Sequence, residues 1–288
     1  MTAELAVIVT THNRADLVDE ALASLADQTW RDGSWKVVVV DNASTDATPE
    51  VLARWAGQMP VPFEIVTATD GRGPSYARNA GVDAAAAPNL AFVDDDDIVG
   101  AGWVAAIGEA LRNEPLVASR FDYDRLNPPA VAAHHVVNVD ALPCVGDTPV
   151  ASSAGLGCRR DLWERLGGND TALRHGEDID FSLRASAGGT DPAFEPGAVY
   201  HVRLRDGAGE AWRRGRHLGR ASVDLHVRHG RERGERRDRL GVVLRSYLGY
   251  LARVPDLARS DRRIAYAEQL GRRIGRLEGS FRHRIWFP

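Results

Sequence analysis

Four short apolar runs, at residues 5–9, 37–40, 63–66 and 90–93, punctuate the first hundred residues of this 288-residue chain. They are rich in Val, Ile and Leu with almost no polar interruption, so each reads as a strand buried on both faces. Between them apolar side chains return at helical spacing: Leu17, Ala21, Leu22 and Leu25, then Val51, Leu52 and Trp55, then Tyr76, Ala80 and Val82. Strands and helices alternating in this way predict a parallel sheet with helices on both faces, joined by right-handed crossovers. The predicted fold class is α/β, a doubly wound, mostly parallel, Rossmann-like sheet. Such a sheet binds ligands beyond the carboxyl ends of its strands, where strand order reverses. In this chain those ends are polar.

The first strand runs into Thr10-Thr11-His12-Asn13-Arg14, the second into Asp41-Asn42-Ala43-Ser44-Thr45-Asp46, and the fourth into Asp94-Asp95-Asp96-Asp97. Four adjacent carboxylates at the end of a buried strand repel one another, a cost that a divalent cation would remove. Hard oxygen ligands suit Mg2+ or Mn2+ bridging carboxylates to a substrate phosphate; the plainer alternative is a solvated acidic loop. Asp41 stands where an acid accepts hydrogen bonds from a ribose or a base. Ser44 and Thr45 are expected to cap the helix that follows. No Gly-x-Gly-x-x-Gly fingerprint and no phosphate-loop lysine follow the first strand, which argues against dinucleotide and P-loop sites. The cations near the strand ends are Arg14, Arg72 and Arg78, whose guanidinium fork suits phosphate, although each is equally readable as a surface residue.

Further along, helices are predicted over 102–111, Arg160–Leu166 and Glu177–Ala187, a strand over 116–121, and a loop-rich stretch over 127–149. Glu177, Asp178 and Asp180 open the third of these helices, where the helix dipole alone explains acidic residues. Beside a metal-type aspartate cluster the same acids become candidate general bases. His201 closes an apolar stretch and reads either as structural or as a metal ligand.

Together these motifs resemble those of the inverting family 2 glycosyltransferases. The resemblance rests on Val7-Ile8-Val9-Thr10-Thr11-His12-Asn13-Arg14, on Val39-Val40-Asp41-Asn42-Ala43-Ser44-Thr45-Asp46, and on Ala77-Arg78-Asn79-Ala80-Gly81. It continues with Phe92-Val93-Asp94-Asp95-Asp96-Asp97, similar to the family's Asp-x-Asp stretch, and Gly176-Glu177-Asp178, similar to its Glu-Asp motif. It covers about residues 4–203. The resemblance implies a GT-A fold in which residues 1–100 form the nucleotide-sugar-binding half and 101–203 the acceptor-binding half, with 204–288 a basic helical extension. It also implies roles. Asp41 would bind the base or ribose, and Thr10, Arg14, Arg72 and Arg78 would line the donor pocket. Asp94 and Asp95 would approach the ribose or donor sugar, Asp96 would hold Mn2+ or Mg2+ on the diphosphate, and His201 would complete the metal site. Asp178 would be the general base. Four consecutive aspartates leave the register open by one residue, so Asp95 and Asp97 are alternatives to Asp94 and Asp96; Phe92-Val93 favours the latter pair.

The implied reaction moves a sugar from a nucleoside-diphosphate sugar to an acceptor hydroxyl on a saccharide, a lipid-linked carrier or a small molecule. Polysaccharide, glycolipid and secondary-metabolite glycosylation all fit. The loop over 127–157 and Trp163 are expected to shape the acceptor site. A sugar nucleotidyltransferase would need a glycine- and lysine-containing phosphate loop, which Thr10 to Arg14 lacks. A catalytically silent nucleotide-sugar-binding module would have no use for the intact acidic motifs.

The formal charge of −4 conceals a split. Residues 1–200 carry 14 basic against 30 acidic side chains, a balance of −16, whereas 201–288 carry 22 arginines against 10 acids, a balance of +12. Six arginines fall between 228 and 239, just before an apolar stripe of Leu240, Val243, Leu244, Tyr247, Leu248 and Leu251. This segment, 228–251, could rest on an anionic membrane. The alternatives are packing on the catalytic body or on a second copy, as a homodimer. No aromatic residues interleave the arginines, so nucleic acid is not an expected partner. With 44% hydrophobic and 26% charged residues the chain is expected to be globular. Two cysteines, Cys144 and Cys158, make no disulfide framework, and the opening lacks a basic leader region. The expected location is the cytoplasm, or the inner face of its membrane.

Overall fold

The computed structural model describes residues 3–133, 135, 137–204, 207–230 and 260–287. The elements run β1 (Leu5–Thr11), α1 (Ala15–Ala26), β2 (Trp35–Asp41), α2 (Thr48–Ala56), β3 (Phe63–Thr67), α3 (Pro74–Ala84) and β4 (Asn89–Asp94). There follow β5 (Ile98–Val99), α4 (Trp103–Leu111), β6 (Leu116–Asp122), α5 (Pro129–Ala132), β7 (Cys144–Val145), β8 (Thr148–Pro149) and β9 (Leu156–Arg159). The chain continues with α6 (Arg160–Leu166), α7 (Glu177–Ala187), β10 (Ala193–His201), α8 (Ala208–Leu225) and α9 (Ser260–His283). By compactness it forms two units, one of Met1–Ala172 and Glu177–Arg203, the other of Leu173–Gly176 and Leu204–Pro288.

The first unit is built on an eight-stranded sheet in the order β3-β2-β1-β4-β9-β6-β10-β5. The four strands β3, β2, β1 and β4 are parallel, as their uninterrupted apolar runs require. β9 runs antiparallel to β4 and β6, and β5 antiparallel to β10. Strand order reverses between β1 and β4. Register brings Thr11 opposite Asp41, Asp41 opposite Thr67, and Thr10 opposite Asp94, so the polar strand ends form one level edge. One departure from the expected pattern is β3. It lies at the sheet's edge, with Glu64, Ile65 and Thr67 exposed, because no further strand covers its outer side.

The core explains the Ala-rich α3. A Cβ on Gly81 would lie 2.5 Å from Ile8 Cγ2, so a glycine here lets the helix rest directly on β1. Arg160, the first residue of α6, donates to the carbonyls of Ala87, Val82 and Ala85 and closes the carboxyl end of α3. Trp163 is buried at 5% exposure, its ring 4.9 Å from Phe92 and 5.0 Å from Phe181. It ties β4 to α6 and α7 and does not line an acceptor surface as expected.

In the second unit α8 and α9 run parallel, Trp212 beside Gly271, Arg216 beside Gly275 and Asp224 beside His283. Their contact is backbone on backbone. A Cβ on Gly219 would collide with the carbonyl oxygen of Arg272, and one on Gly275 with that of Arg216. Glu278 accepts from Arg216 (2.7 Å) and Arg220 (2.5 Å), and those hydrogen bonds hold its carboxyl below the usual range. The stripe over 240–251 lies outside the described residues. Gly219→Ala should force the helices apart and cost about 1–3 kcal/mol, the range for overpacking a tight contact; thermal unfolding of the full chain would measure it, and an unchanged midpoint would rule out the close approach.

Candidate functional site

At the level edge of the sheet, the loops after β1 and β2 fasten to each other. Ser44 Oγ accepts the Asn13 amide, and the Thr45 amide donates to Asn13 Oδ1 at 2.7 Å. The amide of Arg14 donates to Thr48 Oγ1 (3.0 Å) and that of Ala15 to Asp46 Oδ2 (3.4 Å), so the α2 loop satisfies the open end of α1. The expectation that Ser44 and Thr45 cap α2 is therefore corrected. Asp46 Oδ1 takes the Thr48 amide instead, while Ser44 and Thr45 reach across to β1's loop. Asp41 is buried and accepts the Ser44 amide through Oδ1 at 2.9 Å. Between them Ala43 sits at φ 62°, a left-handed conformation that an alanine adopts only under constraint.

Asn42 organises the third loop. Its amide donates to the carbonyls of Ala68 and Gly71, and its Oδ1 accepts the Gly73 amide. That fixes the segment carrying exposed Arg72 against the strand end. Sequence reasoning passed over Asn42; the signal was an Asn directly after a strand-end acid, a residue suited to bridging backbone groups.

The four aspartates do different work. Asp94 Oδ1 accepts from Arg78 at 2.8 Å, and the Asp94 amide donates to Tyr200 Oη at 3.0 Å. Asp95 is pushed up to about 6 by burial first, then by the charges of Asp96 and Asp94. Asp96 has Arg14 at 3.8 Å. Asp97 turns into the protein: it is 4% exposed, accepts the Arg203 amide at 2.7 Å, and is pushed well up by burial and then by Asp94 and Asp96. Asp97 thus joins β4 to the end of β10.

Arg78 is buried, unlike an arginine lining an open donor pocket. Its Nη1 donates to Glu177 Oε1 at 2.9 Å and its Nη2 to Asp94 Oδ1. Burial works against its charge, but Asp94 and Glu177 more than offset that and raise its pKa. Glu177 is itself raised by burial and by Asp178, with Arg78 pulling the other way. Asp178 follows in the first turn of α7, half-buried, its Oδ1 accepting the Ile179 amide. One guanidinium therefore holds the end of β4 against the start of α7, and Asp178 lies beside it.

His201 stands opposite Asp122 in the sheet, with Nδ1 3.2 Å from Asp122 Oδ2 and Nε2 3.4 Å from Arg125 Nη1. Burial foremost lowers its pKa, so at neutral pH it is the uncharged imidazole a metal would need. Among the described residues no group of three or more His, Cys, Asp or Glu is gathered as a metal cage. The aspartates fit a divalent cation by charge, four adjacent carboxylates being hard oxygen donors that repel one another. The remaining ligands would have to be oxygens of a bound diphosphate, the usual mode for Mg2+.

Arg78→Met should leave two buried carboxylates without their partner and cost about 3–5 kcal/mol of stability; urea denaturation measures this, and a loss under 1 kcal/mol would mean the pairs are not formed. Asp95 makes a second prediction. An acid whose pKa is raised in the folded state takes up protons on folding, so its contribution to stability declines as pH climbs from 3.8 to about 6. Without added metal, Asp95→Asn should melt with the native chain near pH 4 and above it at pH 7. A difference that stays constant across that range would reject the assignment.

Residues 6–139 match the model of the Glycosyl transferase family 2 family. The chain is 25% identical over 194 residues to glycosyltransferase AglE of Haloferax volcanii, covering 66% of this chain and 64% of that protein. It is 31% identical over 153 residues to validoxylamine A glucosyltransferase of Streptomyces hygroscopicus subsp. jinggangensis, covering 50% of this chain and 36% of that one. It thus spans less than two thirds of either curated relative. Among solved structures, mannosyltransferase PcManGT from Pyrobaculum calidifontis, in complex with GDP-Man and Mn2+, superposes with a TM-score of 0.63 at 21% identity, covering 98% of this chain and 76% of that one. A strand-end acid, an aspartate run and a Glu-Asp helix start are thus assembled on a GT-A type sheet, and residues 6–139 of it are similar to glycosyl transferase family 2.

Proposed function

We propose that this chain transfers a sugar from a nucleoside-diphosphate sugar to an acceptor hydroxyl, with inversion at the anomeric carbon and with Mn2+ or Mg2+ as its metal. The observation that carries this reading is Arg78, which draws Asp94 and the first turn of α7 into one cluster beside the reversal in strand order. In this reading the donor site and the candidate base are neighbours. PcManGT's complex with GDP-Man and Mn2+ supports the choice of donor class and metal.

In this reading Asp41 accepts from the base or ribose, and Thr10, Arg14 and exposed Arg72 line the donor's path. Arg78 acts at one remove, by setting Asp94 toward the ribose and Glu177 toward the base helix. Asp94 and Asp95 face the donor. Asp96 and His201 would hold the metal, His201 by exchanging its Arg125 contact. The bound metal would offset the charge growing on the departing diphosphate. Asp178 takes the proton of the acceptor hydroxyl as that oxygen attacks from the side opposite the leaving group. Asp97, committed to Arg203, serves the scaffold. Whether the acceptor is a saccharide, a lipid-linked carrier or a small molecule, the demand on the site is the same, one hydroxyl presented to Asp178.

Nucleotidyl transfer is disfavoured because Lys36, the chain's one lysine, lies near the amino end of β2, away from the polar edge. The test is a pair of variants. Asp178→Asn should cut transfer by about 100-fold or more, the range for a general base, while nucleotide affinity by calorimetry stays within about twofold of native. Asp96→Ala should abolish the Mn2+-dependent part of that affinity. Near-native turnover by Asp178→Asn refutes its role as base, and Mn2+-dependent affinity surviving in Asp96→Ala refutes the metal assignment.

A further inference from the structure

The carboxyl end of α9 displays what a buried helix conceals. Phe281 is 88% exposed and Trp286 is 51% exposed, with Leu277, one turn before Phe281 on the same face, 38% exposed. This is not a frayed terminus. The Ile285 amide donates to the Ser280 carbonyl and the Arg284 amide to that of Phe281, with Arg284 at φ 52°. These bonds form the two-bond helix stop that glycine usually provides, here with an arginine in the left-handed position. Ser280 Oγ then donates to the Phe287 carbonyl and accepts the Phe287 amide, while the Phe287 ring stacks on His226 at 4.3 Å. The segment after α9 is folded back and pinned, and Phe281 and Trp286 stay exposed beside it.

Among the described residues, the charged side chains that flank these aromatics in sequence are basic. Arg282 and Arg284 are exposed beside them, and His283 completes a basic last turn. Three described acids of the two helices are engaged by cations: Glu278 by Arg216 and Arg220, Glu268 by Arg272, and Asp224 by His283. Large aromatics held in the open among arginines match an anionic bilayer surface, whose headgroups meet guanidinium while the rings enter the acyl boundary. Among the described residues no helix is long and apolar enough to cross a membrane, so the contact is peripheral.

We propose that Phe281, Trp286 and Leu277, rimmed by Arg282 and Arg284, form a docking surface for an anionic lipid membrane. The surface stands independently of the transfer chemistry, and its failure would leave that reading untouched. The test is cosedimentation of the full chain with vesicles of phosphatidylcholine containing phosphatidylglycerol, against phosphatidylcholine alone, at low and high salt. The native chain should bind the acidic vesicles, release with salt, and ignore the neutral ones. Phe281→Ser with Trp286→Ser should weaken binding by about tenfold or more, from lost apolar insertion. Arg282→Gln with Arg284→Asn should weaken it by about fivefold per arginine. Residues 231–259 stay intact in both variants, so these losses would locate the contact on α9, and unchanged circular dichroism would show that folding persists. No binding to acidic vesicles, or binding by both variants equal to that of the native chain, overturns the proposal. So does a dimer in light scattering that Phe281→Ser dissolves, which would assign the face to a second copy of the chain.

Discussion

A buried guanidinium between two carboxylates from distant segments is the constraint on which the rest of the site depends. Arg78 comes from α3, Asp94 from the end of β4 and Glu177 from the start of α7. An arginine sealed from water is tolerable only with both partners in place, and each carboxylate needs the arginine for the same reason. The arrangement is therefore all-or-none. It fixes the distance between the two acidic motifs without any loop having to be stiff, and it does so through a planar fork that a lysine could not reproduce.

What could be read beforehand follows from the range of the forces involved. β1, β2 and β4 were legible because a strand buried on both faces must be apolar throughout, and α6 and α7 because glycines mark their ends. β3 was misjudged since nothing within its own five residues records that it borders no further strand. The two-residue strands β5, β7 and β8 have no periodicity to detect. At the site, the acids were legible as types and their division of labour was not. Asp97 differs from Asp96 in its burial and in accepting the Arg203 amide, and Arg78 read as a phosphate ligand because its partners lie 16 and 99 residues away. Ser44 and Thr45 looked like caps because short-range bonding is the default for such residues, whereas their partner was Asn13.

The charge split of the chain also acquires a physical meaning. Within the first unit acids gather at the carboxyl ends of the strands, where burial first, and then Asp96 and Asp94, push Asp95 up to about 6. Within the second, glycines bring two helices into backbone contact and leave the arginines on the outside, where Glu278 neutralises only two of them.

The fastening of the first two loops has a further consequence. Because Asn13, Ser44, Thr45, Asp46 and Thr48 share one set of hydrogen bonds, and Ala43 is held in a left-handed turn between them, neither loop has a conformation of its own. A change in the length of either would be transmitted to the other and, through Arg14, to Asp96. Under the proposed function, suiting these loops to a different nucleotide means exchanging both as a matched pair, since a graft of one alone would arrive without the partner that gives it shape.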